Sequence, residues 1–158
     1  MKIELKNVKF NKVMSEETFC FSATICLDGK RIGTAQNRGC GGSTIFYWEN
    51  KEAGKELEAY AKSLPSLPFE DGDPLPYDIE LLIDKMICDW LEMKDFKRWC
   101  KTLVVFNLKS DKKDDWRTLK PYKGDPVWSV SQKSYLVEKY GNTINRIINQ
   151  ELYGDPVL

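Results

Sequence analysis

Apolar and polar residues alternate along the early part of the chain. The odd-numbered positions within Glu17 to Leu27 are apolar from Phe19 onward, which is the period of a strand that buries one face. Asp28-Gly29 follows directly and favours the positive φ angles of a type I′ hairpin turn. The return strand is predicted from about Lys30 to Gln36, in a register that sets Ile32 opposite Ile25.

Another strand is predicted before this hairpin, from Lys2 to Phe10. Its apolar positions lose their phase between Leu5 and Val8. A β-bulge inserts one extra residue into a strand, so the side chains beyond it change faces. A bulge near Asn7 therefore explains the slip.

Three helices are predicted farther along the chain. The first follows Asn50, a good N-cap, and carries a stripe of small and apolar residues at helical spacing. The second follows Asp78 and runs to about Cys100; it is apolar nearly all round as far as Trp90, so it is expected to be the central buried helix, with Trp90 in the core. The third runs from about Lys133 to Leu152. The stripe on the first helix consists of Ala53, Leu57, Ala61 and Leu64.

Short strands are predicted between the second and third helices. A buried strand spans Thr102 to Lys109, a solvated turn follows at Asp111 to Asp115, and shorter strands lie at Trp116 to Lys120 and at Val127 to Val130. The order of elements predicts an α+β fold, with a mainly antiparallel sheet (the N-terminal hairpin plus C-terminal strands) and about three helices packed against it. No linker longer than a loop interrupts the pattern, so residues 1–158 are expected to form a single domain.

Composition narrows the classes of function. The chain has no histidine, which removes Ser-His-Asp and Cys-His catalysis and histidine-containing zinc sites. Its 24 basic and 24 acidic residues lack the basic excess that is typical of DNA-wrapping proteins. No catalytic residue is predicted, and a protein without enzymatic activity is favoured over an enzyme that uses carboxylates, lysine or tyrosine.

The cysteines and the hydropathy profile bear on compartment and cofactors. The five cysteines are scattered, without a Cys-x-x-Cys spacing, as is typical of a reducing compartment. No metal ion and no cofactor is predicted, although the acidic segment 69–74 leaves weak divalent-cation binding as an alternative to a plain exposed loop. Neither a membrane span nor a signal peptide is recognised, so a cytoplasmic location is expected.

The glycine-rich segment 37–44 is the part of the sequence most suggestive of a ligand site. Three glycines free the backbone to form a concave group of N–H donors, and neighbouring side chains could add more. The segment matches neither a P-loop nor a dinucleotide-binding fingerprint, so a tight turn after the hairpin is the alternative. The candidate ligand-binding residues are Arg38, Gly39, Cys40, Gly41, Gly42, Ser43 and Thr44.

Charge is distributed unevenly. Residues 49–80 hold nine acids and three lysines, whereas residues 94–101 hold four basic residues and one acid. Oppositely charged surfaces would steer a protein or nucleic-acid partner, and ordinary solvated surface is the alternative. Tryptophans in loops or at strand ends are candidate interface anchors. The candidate partner-binding residues are Trp48, Lys94, Lys97, Arg98, Trp99, Lys101 and Trp116.

A motif runs through the hairpin within about residues 1–45. It consists of Ser15-Glu16-Glu17-Thr18, Cys20-Phe21, Ala23-Thr24, Asp28-Gly29-Lys30, Gly33-Thr34, Asn37, Gly39 and Gly41-Gly42. This motif resembles the opening of a group of small, uncharacterised bacteriophage proteins. Members of that group often carry histidines in and after the glycine segment, where this chain has Cys40. The resemblance implies a phage setting, and hence the host-cell cytoplasm, but no established activity.

Three hypotheses for function follow. The first is a phage-encoded, non-enzymatic binding protein that inhibits or sequesters a host component, for example of an antiviral defence system. The second is a small anionic-ligand or nucleotide-binding protein, or an unrecognised enzyme, that uses segment 37–44. The third is nucleic-acid binding through segment 94–101. A host protein is the first expected partner, a small anion and nucleic acid are the alternatives, no membrane is expected, and a homodimer stays open.

Overall fold

The fold is α+β, as predicted. The computed structural model describes residues 1–68 and 73–156, and in them the chain forms two antiparallel sheets and four α-helices. The strands are β1 (Ile3–Phe10), β2 (Cys20–Leu27), β3 (Lys30–Arg38), β4 (Ile45–Trp48), β5 (Val104–Leu108), β6 (Arg117–Leu119) and β7 (Ile144–Ile147). The helices are α1 (Lys51–Ser63), α2 (Ile79–Trp99), α3 (Val130–Tyr140) and α4 (Ile148–Tyr153).

These elements group into two compact units, Met1–Asp89 and Trp90–Leu158, whose boundary falls within α2. The first unit contains the sheet β1-β2-β3-β4, and the second contains the sheet β6-β5-β7. The single domain expected for residues 1–158 stays a prediction. Among the described residues, no helix combines the length and the apolarity needed to cross a membrane.

The hairpin of β2 and β3 forms as predicted, with one difference in register. Asp28 and Gly29 have φ angles of 48° and 81°, which are the left-handed values of a type I′ turn. A bulge after Ile25 places this residue opposite Gly33, so the predicted pairing of Ile25 with Ile32 is wrong. The extra residue on β3 puts a glycine where a Cβ would lie 2.5 Å from the Tyr47 carbonyl oxygen. Glycine opposite Ile25 therefore suits the close approach of β4 to β3. This contact is between distant segments, so the local sequence pattern does not reveal it.

The predicted bulge in β1 is confirmed. The pairing of β1 with β2 shifts between Lys6 and Lys9, and Asn7 has a φ of 52°. Asparagine tolerates this left-handed conformation better than most residues, because its short polar side chain can bond locally. The bulge therefore changes which side of the sheet the later residues of β1 face.

Strand β4 was not predicted, because four residues after a glycine cluster are too few to show a period. Trp48 stacks on Phe46 with ring centroids 5.6 Å apart, and the two rings lie 8° from parallel. The indole also covers two glycines: a Cβ would lie 2.9 Å from it at Gly33 and 2.7 Å from it at Gly54. These glycines thus make room for Trp48 against β3 and α1.

The first two helices begin where their caps predict. The Asn50 side chain accepts the Ala53 N–H at 3.1 Å, and the Asp78 carboxylate accepts the Leu81 N–H at 2.8 Å. The expectation that α2 is buried all round is wrong, because Cys88 is exposed and Trp90 is only half-buried. The buried residues of α2 are Leu82, Ile83 and Ile87 in the first unit and Phe96 in the second.

The second unit is built around β5, all of whose residues are buried. Strands β6 and β7 flank it, which confirms the buried strand and the short strand at Trp116 to Lys120. Phe106 faces a cluster that contains Leu136 of α3, and Val105 faces a cluster that contains Ile148 of α4. Successive side chains of a strand face opposite sides of the sheet, so β5 contributes to two small cores.

Two predictions for the C-terminal part of the chain are wrong. A strand at Val127 to Val130 is wrong, because Val127 and Trp128 form a bend and Val130 already begins α3. The helix predicted from Lys133 to Leu152 is divided into α3, β7 and α4. Gly141, with a φ of 47°, follows the end of α3, and β7 then supplies the second neighbour that β5 needs. Pairing with a buried strand outweighs helix propensity here.

An ion pair next to β5 gives a testable dependence of stability on pH. The Arg117 guanidinium donates to the Asp111 carboxylate at 2.7 and 2.8 Å, and the Leu108 N–H donates to it at 2.9 Å. These bonds lower the pKa of Asp111 from 3.8 to about 2.

We therefore expect the contribution of Asp111 to stability to be complete above about pH 4 and to be lost as the pH falls toward about 2. The folded pKa lies below the unfolded one, so protonation favours the unfolded chain. Urea unfolding of wild type and Asp111→Asn should show a stability gap that narrows over this range. A gap that stays constant would contradict the prediction.

Candidate functional site

The buried amide of Asn37 organises the glycine-rich segment. Its Oδ1 accepts the Thr18 hydroxyl at 2.9 Å and the Gly39 N–H at 2.8 Å, while its Nδ2 donates to the Gly42 carbonyl at 2.8 Å. One side chain thus holds both arms of the loop, and satisfies buried polar groups that would otherwise destabilise the fold.

The backbone of Gly39 ties the loop to the chain before β2. Its carbonyl oxygen accepts the N–H groups of Glu16 and Glu17 at 3.0 Å and that of Thr18 at 3.3 Å. Gly39 has a φ of 87°, and a Cβ there would lie 2.0 Å from the Met14 carbonyl oxygen. Only glycine fits this corner.

Three of the N–H groups in the segment proposed for anion binding, those of Gly39, Gly41 and Thr44, bond to acceptors of the protein itself. The Gly41 N–H donates to the Thr18 hydroxyl at 3.4 Å, and the Thr44 N–H donates to the Glu80 carboxylate. A Cβ at Gly41 would lie 2.1 Å from the Glu17 carboxylate. Negative charge therefore lies beside the loop, and this geometry favours a tight turn. Anion binding by the loop stays a prediction.

The side chains that could add donors do not all point to one place. Arg38, Cys40 and Ser43 are exposed, whereas Thr44 is buried and accepts from Asn37 at 3.3 Å. The Cys40 thiol lies 3.7 Å from the Arg38 carbonyl oxygen. The exposure expected for Cys40 is confirmed.

Two glycine substitutions test whether the fold requires glycine at position 39 of this loop. We expect Gly39→Ala to lower the free energy of unfolding by about 1–3 kcal/mol, because the methyl group meets backbone and the φ angle is unfavourable. Gly42→Ala is the matched control, since a Cβ there meets open space. Urea unfolding of both variants measures the difference, and equal stabilities would contradict the structural role of Gly39.

The C-terminal half of α2 carries a basic stripe, here called the basic helix face. It comprises Trp90, Met93, Lys94, Lys97, Arg98 and Lys101, which together with Asp95 line an open groove of about 480 Å³. The positions within α2 recur every three or four residues, so they lie along one side of the helix, and Lys101 follows just beyond its end. The structure thus brings together all four basic residues that the sequence singled out.

Only part of this positive charge is neutralised. Arg98 pairs with Asp95 at 2.9 Å, and the Lys94 ammonium lies 4.9 Å from the centre of the Trp90 ring. Within the described part of the chain, Lys97 and Lys101 form no ion pair, and both are exposed. Cations also suit this end of α2, because the helix dipole is negative there.

The predicted tryptophan anchors lie elsewhere. Trp99 and Trp116 are half-buried against Phe96, with ring centroids 6.0 and 4.7 Å away. The Arg146 guanidinium covers Trp116 at 5.3 Å. Trp48 is half-buried beside α1. These three rings pack in or beside the cores of their units and do not line the groove of the basic helix face.

Sequence reasoning missed Trp90 and Met93 as members of this face. Trp90 was assigned to the core, yet it lies four residues before Lys94 and seven before Lys97, on the same side of the helix. This spacing was the available signal. Met93 is 38% exposed, so the groove joins apolar to cationic surface.

The cysteines and acids give no metal site within the described residues, where no three potential ligands converge. Burial raises the pKa of the Cys100 thiol to about 11, which makes it a poor nucleophile. Residues 69–72 of the acidic segment 69–74 lie outside the described residues.

Comparisons of this chain with protein-family models, with curated proteins and with solved structures found no match.

Proposed function

We propose that the protein acts by binding, and that the basic helix face receives an acidic surface of another protein. The observation that supports this is the stripe of Lys94, Lys97, Arg98 and Lys101, of which only Arg98 pairs with a carboxylate in the described residues. Segment 94–101 carries four basic residues and one acid, a net charge of +3. An acidic surface on a partner would complement this positive charge and form ion pairs with these side chains.

The composition of the groove favours a protein over a nucleic acid. Trp90 and Met93 add apolar area at one end of the stripe, and such residues are enriched at protein interfaces. The cationic part is short, because it comprises the last two turns of α2 and Lys101 just beyond them. The whole chain has no net charge, whereas nucleic-acid affinity depends mainly on many phosphate contacts.

The resemblance to small bacteriophage proteins supports the setting of this proposal. A binding protein without catalytic groups would inhibit or sequester its target by occupying a surface. The target would then be a host protein with an acidic patch, in the host-cell cytoplasm, for example a component of an antiviral defence system. No enzymatic step is part of the proposal.

A fluorescence-anisotropy titration tests the proposal with defined probes. The probes are a labelled peptide of alternating glutamate and leucine, the same peptide with lysine in place of glutamate, and a labelled oligothymidylate. We expect the acidic peptide to bind, with an affinity that falls as salt rises, and the basic peptide not to bind. Tighter binding of the oligothymidylate would instead support nucleic-acid recognition and overturn the proposal. Equal binding of both peptides would also overturn it.

A further inference from the structure

The sheet of the first unit ends in two edge strands, β1 and β4, which differ in how well they resist pairing with another strand. Strand β1 carries the charged residues Glu4, Lys6 and Lys9 and contains the bulge near Asn7. Charged side chains, lysine above all, and bulges are features that keep a sheet edge from pairing. Strand β4 has the sequence Ile-Phe-Tyr-Trp, and its pairing with β3 is regular. The edge at β4 is therefore the one suited to receive a further strand.

Two residues of β4 direct their backbone groups away from β3. Glu49 follows the strand in the same register and donates its N–H to the Ile32 carbonyl at 2.9 Å. Hydrogen-bonded and non-hydrogen-bonded pairs alternate in an antiparallel ladder, so the N–H and carbonyl groups of Phe46 and Trp48 point outward. No hydrogen bond joins these four groups to another described residue.

Pairing of β4 with a second copy of itself would use all of these groups. A two-fold axis at Tyr47 sets Phe46 opposite Trp48 of the partner subunit at both ends of the pairing, and each such pair exchanges its N–H and carbonyl groups. An axis one residue earlier or later would need the N–H of Thr44 or of Asn50. Both of these N–H groups are already bonded within the chain, which leaves the axis at Tyr47.

The side chains of β4 suit this arrangement. Tyr47 is 56% exposed and would lie opposite its own copy in a non-hydrogen-bonded pair, where the Cα atoms approach to about 4.5 Å. Aromatic pairs across strands stabilise a sheet. On the other side of β4, the stacked rings of Phe46 and Trp48 line an open groove of about 480 Å³ beside α1. The groove is also lined by Lys51, Lys55 and Glu58.

The two ends of β4 carry opposite charges. Before the strand, the Thr44 N–H donates to the carboxylate of Glu80, and residues 78–84 hold three acids and no basic residue. After the strand, Lys51 and Lys55 form no ion pair in the described part of the chain, and with one acid they give the groove a net positive charge. Antiparallel pairing places the acidic end of each strand beside the basic end of its copy. A second copy therefore complements this edge in charge as well as in hydrogen bonding.

We propose that β4 is the interface of a homodimer, in which the β4 strands of two copies pair antiparallel about a two-fold axis at Tyr47. The two four-stranded sheets then form one continuous sheet. Main-chain hydrogen bonds, aromatic pairs and complementary charges stabilise the interface. The homodimer does not depend on the protein-binding function proposed above, and it carries two basic helix faces.

Sedimentation-velocity ultracentrifugation of the full chain over a range of concentrations tests the homodimer. We expect a monomer–dimer equilibrium that Tyr47→Lys weakens by about tenfold or more, because two like charges replace an aromatic pair. Tyr122→Lys, at a tyrosine that is also exposed, is the control and should leave the equilibrium unchanged. A wild-type chain that stays monomeric at high micromolar concentration would overturn the proposal. A dimer that Tyr47→Lys leaves intact, or that both variants weaken alike, would also overturn it.

Charge reversal tests the antiparallel direction. Lys51→Glu should weaken the dimer by up to about fivefold, because it places an acid beside the acidic end of the other strand. Lys62→Glu makes the same charge change at an exposed lysine in the last turn of α1 and should have no effect. Equal effects of the two variants would overturn the antiparallel arrangement.

Cross-linking tests the register in a background of Cys40→Ser and Cys88→Ser, which removes the exposed thiols among the described residues. Tyr47→Cys should form a disulfide between two copies when oxidised glutathione is added, because Cβ atoms in such a pair lie about 4.5–5.5 Å apart. Ile45→Cys, on the same side of β4, should not, since antiparallel pairing separates the two copies of that position. Equal cross-linking of both variants, or none with Tyr47→Cys, would overturn pairing about Tyr47.

Discussion

Replacing Asn149 by alanine is expected to lower the free energy of unfolding by about 3–5 kcal/mol. Asn149 is fully buried, and its amide joins two segments of the second unit. Its Oδ1 accepts the Val105 N–H at 2.7 Å and the Cys100 thiol at 3.3 Å, while its Nδ2 donates to the Leu103 carbonyl at 3.0 Å. The amide thus continues the hydrogen bonding of β5 on the side of β7, beyond the end of that strand's pairing at Phe106.

The size of this effect follows from the groups that alanine leaves unpaired. A buried N–H and a buried carbonyl each cost about 1–3 kcal/mol without a partner, and the lost volume adds a cavity. This is a large fraction of the total stability of a typical domain, which is about 5–15 kcal/mol.

Urea unfolding, followed by tryptophan fluorescence, measures the loss. Asn145→Ala is the matched control, because Asn145 lies on β7 nearby in the sequence but is exposed. It is expected to change stability by less than about 0.5 kcal/mol. A change of similar size in both variants would contradict the role assigned to the Asn149 amide.

Reversing two charges on the basic helix face is expected to reduce binding of the acidic peptide by about 100-fold or more, equivalent to about 2.7 kcal/mol. The double variant Lys97→Glu with Lys101→Glu changes the net charge of segment 94–101 from +3 to −1. Both side chains are exposed, and neither forms an ion pair in the described part of the chain, so the fold should tolerate the change.

The chain offers a control with the same charge change and the same spacing. Lys51→Glu with Lys55→Glu alters two exposed lysines four residues apart on α1. If long-range attraction by total charge were responsible, both double variants would lose binding alike. If the basic helix face makes the contact, only the α2 variant should lose it. An α2 variant that binds as wild type would contradict the proposed function.

Much of the first unit could be predicted, because its structure depends on neighbours in sequence. The alternation within Glu17 to Leu27 and the Asp28-Gly29 turn specify a hairpin locally. The caps at Asn50 and Asp78 likewise act within one helical turn. The bulge near Asn7 was visible as a change in the phase of apolar residues.

The basic part of the candidate site could also be predicted, since Lys94 to Lys101 are close in sequence. Trp90 was misassigned because it ends an apolar segment of α2, although its spacing from Lys94 and Lys97 indicated the basic side of the helix.

By itself, the sequence determined the α+β class, the N-terminal hairpin, the starts of α1 and α2 and the position of the buried strand β5. Only the tertiary structure decided the register opposite Ile25, the strand β4 and the division of the last predicted helix. In each case, the deciding contact joins segments far apart in the chain: Trp48 against Gly33, and β7 against β5. Local propensities differ by about 1 kcal/mol per residue or less, so such contacts can override them.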